Sequence, residues 1–193
     1  LCLGARVSNL RLYGIELQRE YFLMSEHNAI ENNINLKVVN ANLNDLPADF
    51  RQKSFDHVMT NPPFFVTKTL SKPVAQGKSI ANIENISLND WISFSLKRLK
   101  SGGSFSIIHL TERLPEVLSS LSAYCGSISI KPITSRKSRP AKRIIVQGIK
   151  GSKGPMKLLE PFVVHDGDIH NSDKSDYSKS ANNILRFGHP LDL

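Results

Sequence analysis

The chain has 193 residues, 40% of them hydrophobic and 22% charged. That composition suits one globular domain, or one with a short appendage, and excludes a wholly disordered chain. No apolar run approaches the ~18 residues of a membrane-spanning helix, no signal peptide is visible, and the two cysteines, Cys2 and Cys125, are too few for a disulfide framework or a structural zinc site, so a soluble protein of a reducing, cytoplasmic compartment is expected.

Leu1 to Val7 has the character of the tail of an apolar helix, so further residues are expected ahead of it. Leu10 to Leu17 alternates apolar and polar side chains and predicts a strand. Gln18 to about Asn32 favours a helix, with Asn32-Asn33 as its stop. Leu36 to Leu43 predicts a second strand and Phe55 to Thr60 a third. This alternation predicts a mostly parallel sheet with helices on its faces.

Phe65 to Ile86 has no period and predicts a long loop. Ser87 and Asp90 then form a capping box, with Asp where Glu is usual. Leu88, Trp91, Ile92, Leu96 and Leu99 form one apolar helix face, and Gly102-Gly103 is its expected end. Trp91 and this stripe are assigned to the core. Ser104 to Leu110 predicts a strand. Leu114, Val117, Leu118 and Leu121 mark another amphipathic helix, with Thr111 as its expected cap. Ser127–Ile133 and Arg143–Ile149 predict two antiparallel strands. Leu158 to Val164 predicts a last strand, and His165 to Asn183 an irregular polar segment. The domain is expected to cover 1–151, N-terminally incomplete, with 152–193 as a C-terminal extension packed on it.

Asn61-Pro62-Pro63-Phe64 stands at the carboxyl end of a predicted parallel strand, the edge where open α/β sheets bind ligands. It can also be a plain turn, since Asn-Pro starts turns well. Its chemistry suits methylation of an exocyclic amine, a poor nucleophile because its lone pair is delocalised into the ring. The Asn61 side-chain oxygen and the Pro62 carbonyl are two acceptors for the two N–H groups, and they would turn the lone pair outward. Proline removes competing donors. Phe64 offers a flat face on which a base stacks, worth ~1–3 kcal/mol. Upstream, Glu16 ends a strand; a carboxylate there suits a ribose diol, or complements a helix dipole. Asn42-Leu43 ends the next strand, where an amide and an apolar side chain suit an adenine ring.

In this order and spacing the three clues resemble the Rossmann-like S-adenosylmethionine-dependent amino-methyltransferases, and most closely the bacterial tRNA1(Val) adenine-N6-methyltransferase family. Gly14-Ile15-Glu16-Leu17-Gln18 is similar to that family's ribose-binding segment. Asn61-Pro62-Pro63-Phe64-Phe65 is similar to its catalytic loop, and Arg139-Pro140-Ala141-Lys142-Arg143 to its link between the last two strands. The resemblance implies S-adenosylmethionine as cofactor. Glu16 and Leu17 would lie at its ribose, and Asn42 and Leu43 at its adenine, although Asp is more usual where this chain has Asn42. Asn61 and Pro62 would hold the target amine, Asn61 would also contact the cofactor, and Phe64 would stack the target adenine. The implied sheet order is 3-2-1-4-5-7-6 with strand 7 antiparallel. Its first strand and a Gly-rich loop are expected ahead of Leu1.

The net charge of +8 is not spread evenly. Lys131, Arg136, Lys137, Arg139, Lys142, Arg143, Lys150, Lys153 and Lys157 fall in one window with no Asp or Glu. The rest of the chain is therefore close to neutral. Such a region is either a solvated face or a phosphate-binding surface. Beside an amine-methylating loop it favours tRNA, with Arg136, Lys137, Arg139, Lys142 and Arg143 as contacts. The long loop, with Lys68, Lys72 and Lys78, could close over a flipped base. His57 and His109 are assigned to the sheet, Cys125 to a small buried position, and the His165–His170 segment to a turn; no metal is expected. The resulting expectation is tRNA adenine-N6 methylation. Its rivals are an rRNA guanine-N2 methyltransferase, a protein-glutamine methyltransferase, which the basic region fits poorly, and a non-catalytic RNA-binding module.

Overall fold

A computed structural model describes residues 1–63, 86–170 and 175–193. They fall into two compact units, Leu1–Lys53 and the described residues from Ser54 onward.

In the first unit, α1 (Cys2–Arg6) leads to strand β1 (Leu12–Glu16), helix α2 (Arg19–Glu31) and strand β2 (Leu36–Asn40). The two strands pair in parallel, from Leu12 opposite Leu36 to Glu16 opposite Asn40. The intervening helix makes this possible, because parallel neighbours need a crossover. α2 ends at the expected asparagines, and Asn33 takes the left-handed φ of 52°. The second strand is shorter than the sequence predicts. Asn42 Oδ1 accepts the Asn44 N–H at 3.0 Å, and this side-chain turn draws the backbone off the ladder. A short helix α3 (Ala48–Arg51), not foreseen, buries Phe50.

The second unit runs β3 (Phe55–Thr60), α4 (Leu88–Arg98), β4 (Leu99–Leu110), a 3-10 turn (Thr111–Arg113), α5 (Leu114–Ser122), β5 (Cys125–Thr134), β6 (Arg143–Lys150), β7 (Lys157–Leu158), β8 (Phe162–Val163) and α6 (Lys179–Phe187). The sheet order is β3-β4-β6-β5-β7, with β8 also on β5. β6 is antiparallel to both β4 and β5, while β3 is parallel to β4. Within the second unit the antiparallel β6 lies between β4 and β5, the place the expected order gives its antiparallel strand. Residues 152–193 belong to this same unit.

The core lies where the apolar faces of α4 and α5 meet one face of the sheet. Ile92, Val117, Leu121, Phe105 and Val146 have no exposed surface. Each such side chain contributes about 1.5–3 kcal/mol by leaving water. The α4 stripe and the Ser87 cap are as predicted; Ser87 Oγ accepts the Asp90 N–H at 3.1 Å.

Several boundaries differ. Gly102-Gly103 does not end α4, because the chain turns into β4 at Leu99. The glycines instead sit in a register shift, with Phe55 opposite Leu99 but His57 opposite Ser104. A Cβ on Gly103 would stand 2.8 Å from the Asp56 carbonyl oxygen, so the close approach of the strands requires glycine here. Thr111 does not cap α5; its hydroxyl donates to the Ala141 carbonyl at 2.8 Å, and Pro115 helps set the start of that helix. The predicted strand from Leu158 to Val164 is two short strands, interrupted around Pro161, which lacks the N–H a ladder needs. The segment read as irregular holds α6, capped by Ser178 and stopped by Gly188 at φ 71°. Phe64 and the predicted loop up to residue 85 lie outside the described residues.

Candidate active site

Of the residues assigned to the cofactor, Glu16, Leu17, Asn42 and Leu43 belong to the first unit and Asn61 to the second. β1 and β2 are parallel neighbours, so Glu16-Leu17 and Asn42-Leu43 emerge at the same carboxyl edge. Glu16 is half-buried, and its Oε1 accepts the Gln18 N–H at 2.8 Å. This bond orients the carboxylate and leaves Oε2 to accept from a diol. The oxygen of the Asn42 amide is engaged by Asn44, so Nδ2 is the part of that side chain best placed to donate. Leu43 is half-buried beside it. The sequence reading missed Asn40. Its Nδ2 donates to the Glu16 carbonyl at 2.8 Å and to the Leu17 carbonyl at 2.9 Å, so one amide fixes the backbone of the Glu16-Leu17 segment. An asparagine ending the strand beside Glu16 was the only signal.

On the second unit, Asn61 follows directly on Thr60, the last residue of β3. Asn61 is exposed, Pro62 is buried and Pro63 is exposed. Neither proline has an N–H, so no backbone donor competes at these two positions. Thr60 in turn accepts the indole N–H of Trp91, at 2.6 Å. Trp91 was assigned to the core stripe, and the structure turns its nitrogen to the end of β3. A part-buried indole N–H needs a partner, and that was its only trace in the sequence.

The basic region divides by role. Lys150 Nζ donates to the Leu96 and Leu99 carbonyls, each at 2.7 Å, so it satisfies the carboxyl end of α4. Arg136 is also engaged within the protein: its guanidinium reaches the Asp166 and Gly167 carbonyls and the Asp176 carboxylate. Lys137, Arg139 and Lys142 are exposed on the β5–β6 link, and Arg143, also exposed, is the first residue of β6. The link is held at both ends. Thr134 Oγ1 lies 2.7 Å from the Arg136 carbonyl and 2.6 Å from that of Arg139. At the far end, Thr111 bonds the Ala141 carbonyl through its hydroxyl and the Lys142 carbonyl through its N–H. Asp176 collects His170 at 2.9 Å, Arg136, and His165 at 2.6 Å. Hydrogen bonds from His170 first, then Arg136, hold its carboxyl well below the usual carboxylate range.

Strand pairing relates this link to Asn61. Thr60 lies opposite Ile107, Ile107 opposite Val146, and Leu110 opposite Arg143. The link therefore leaves the sheet at the edge where β3 ends, on the order of 10–15 Å from Asn61 at ordinary strand spacing.

Of the two histidines assigned to the sheet, His109 is 1% exposed and burial lowers its pKa. His57 lies exposed on β3 with Nδ1 2.6 Å from Ser104 Oγ. Cys125 is buried, and burial raises its pKa. Among the described residues, no group of three or more His, Cys, Asp or Glu side chains is arranged to hold a metal, and no helix is long and apolar enough to cross a membrane.

Comparison with known proteins gives the family and the fold. The family model of N-6 DNA methylases matches residues 4–116. A tRNA1(Val) (adenine(37)-N6)-methyltransferase of Trichodesmium erythraeum is 29% identical over 104 residues, covering 51% of this chain and 41% of that protein. The match thus spans less than half the length of this curated relative. Among solved structures, a predicted O-methyltransferase from Agrobacterium tumefaciens superposes with a TM-score of 0.71 at 18% identity, covering 95% of this chain and 80% of that one. A class I S-adenosylmethionine-dependent methyltransferase structure from Listeria monocytogenes gives 0.54 at 14% identity, over 77% and 49%. These likenesses show a Rossmann-like methyltransferase fold.

Proposed function

Because the chain belongs to the N-6 DNA methylase family, we propose that it methylates the exocyclic N6 amine of an adenine in tRNA, with S-adenosylmethionine as donor. The observation that carries this reading is Asn61-Pro62-Pro63 at the carboxyl end of a parallel strand, with the Asn61 side chain exposed. The tRNA substrate is supported by the exposed cations of the β5–β6 link and by the Trichodesmium erythraeum relative.

The residues of the first unit fit the donor. Among the described residues Glu16 Oε2 has no hydrogen-bond partner, so it can accept from the ribose hydroxyls, on a segment that Asn40 and Gln18 hold in shape. Leu17 and Leu43 supply apolar contact and Asn42 a donor. When bound, S-adenosylmethionine supplies a methyl group on a sulfonium sulfur, which leaves as a neutral thioether.

The chain's own part is orientation. Asn61 Oδ1 and the Pro62 carbonyl accept the two N–H groups of the target amine. This draws the nitrogen towards a tetrahedral shape and turns its lone pair away from the ring, where it can serve as a nucleophile. Such placement is worth more here than a strong base, because the methylated amine gives its surplus proton to water readily. Phe64 is assigned to stack the adenine. Lys137, Arg139, Lys142 and Arg143 hold phosphates near Asn61.

The test is to incubate the full-length protein with isotopically methyl-labelled S-adenosylmethionine and unmodified tRNA, then identify the labelled nucleoside by mass spectrometry. N6-methyladenosine is expected. N2-methylguanosine would move the substrate to guanine, and RNA without label would sink the reading. Asn61→Ala should lower turnover by at least about a hundredfold, because it removes an acceptor used in the transition state, while tRNA affinity stays within about twofold.

A further inference from the structure

We infer that Trp91 is a positioning residue for the reaction, acting on Asn61 through Thr60. The inference rests on the role given to Asn61 above.

Thr60 and Asn61 are adjacent, so the strand end sets where Asn61 starts. The next two residues are prolines and cannot be held by their own N–H groups. The parallel ladder reaches Thr60, opposite Ile107, and β4 is the one strand paired with β3 among the described residues. That ladder is one hold on the strand end. The indole N–H of Trp91 supplies a second hold, through the Thr60 hydroxyl at 2.6 Å.

The holding element is rigid. α4 is capped by Ser87, and Ile92 and Leu96 lock it into the core at 0% and 3% exposure. Its carboxyl end is satisfied by Lys150. Trp91 lies in its first turn, with its N–H bonded back to the Ser87 carbonyl at 2.9 Å. On β3, Val58 packs against the same core, two residues before Thr60 and so on the same face of the strand. Trp91 thus carries core rigidity to the residue directly before the amine-binding asparagine. Packing alone would be served by a phenyl ring; the positioning role needs the N–H and the hydroxyl.

The test compares Thr60→Val, Thr60→Ser and Trp91→Phe in the full-length protein, with unmodified tRNA and S-adenosylmethionine. Valine and phenylalanine keep the shape and remove one partner of the bond, whereas serine keeps the hydroxyl. Misplacement of a reacting group lowers the chemical step, so kcat should fall about tenfold in Thr60→Val and Trp91→Phe, with KM for both substrates within about twofold. Thr60→Ser should stay within about twofold of the unaltered protein. The double variant Thr60→Val/Trp91→Phe should be no slower than the slower single variant, since both remove one interaction. Trp91 is the only tryptophan, so its indole N–H gives a single amide-region NMR signal, which should move in Thr60→Val and stay in Thr60→Ser. Full turnover in Thr60→Val with a displaced indole signal would overturn the inference, as would a raised KM with unchanged kcat. Asn61→Ala is run beside them. If it keeps full turnover, the reading of Asn61 itself falls; if it is inactive while Thr60→Val is not, only the positioning role falls.

Discussion

Asn40 shows how one side chain can organise the segment proposed to hold the cofactor. Its amide meets two successive carbonyls, those of Glu16 and Leu17, and so sets the direction in which the chain leaves β1. Each bond contributes about 0.5–1.5 kcal/mol net. Asn40→Ala should therefore weaken S-adenosylmethionine binding about tenfold by titration calorimetry, with the carboxylate of Glu16 still present. An unchanged Kd would leave Asn40 with a role in the turn alone. Asn61 differs in kind: it stands exposed past the strand end, where its amide faces outward rather than holding the fold.

At the scale of elements, the β5–β6 link separates charge engaged within the protein from exposed charge proposed to meet RNA. Arg136 belongs to the former, through Asp176 and two carbonyls of the 166–167 turn. Lys137, Arg139 and Lys142 belong to the latter by their exposure. The two classes should differ in salt response. Replacing those three by Ala should weaken tRNA binding and reduce the slope of log K against log salt, by about 0.7–0.9 for each phosphate no longer neutralised. Asp176→Asn should weaken binding by loosening the link while leaving the slope unchanged, because every cation that faces a phosphate is still present. Filter-binding titrations across a salt series read both. A reduced slope for Asp176→Asn, or an unchanged one for the triple variant, would reverse the assignment. The Asp176 carboxylate has its pKa lowered in the folded protein, so its contribution is complete above the ordinary carboxylate range and is lost as the pH falls through that range and below.

For the molecule as a whole, the buried His109 links stability to pH. Its pKa lies below the ordinary 6.5, through burial first and then the nearby Arg113. Its Nδ1 accepts the Leu110 N–H at 2.8 Å, which a proton on that atom would abolish. Below pH 6.5 the unfolded chain binds a proton that the folded protein does not, so stability rises with pH through this window and falls on acidification from about pH 7 to about pH 5. Urea midpoints at those two pH values should fall less in His109→Gln than in the unaltered protein. Equal falls in both would show that His109 carries no such linkage.

Periodicity and local chemistry made much of this protein legible in its sequence. The stripe from Leu88 to Leu96, the Ser87 cap, the antiparallel β5 and β6, and the strand ending before Asn61 all follow from forces between near neighbours in the chain. The three sequence clues at Glu16, Asn42 and Asn61 led to the family for the same reason, since each is a short motif at a strand end. What failed was local punctuation overridden by distant contacts. Gly102-Gly103 reads as a helix stop, yet Gly103 answers to the Asp56 carbonyl on another strand. Thr111 reads as a cap, yet its hydroxyl serves Ala141, 30 residues on. The identity of the side chains, and hence the chemistry, was set by the sequence alone. Which nitrogen meets which oxygen was decided only by the tertiary structure: Asn40 on the Glu16 segment, Trp91 on Thr60, Arg136 on Asp176. Hydrogen bonds between residues tens of positions apart have no signature in composition or period, because they exist only once the chain has brought their partners within about 3 Å.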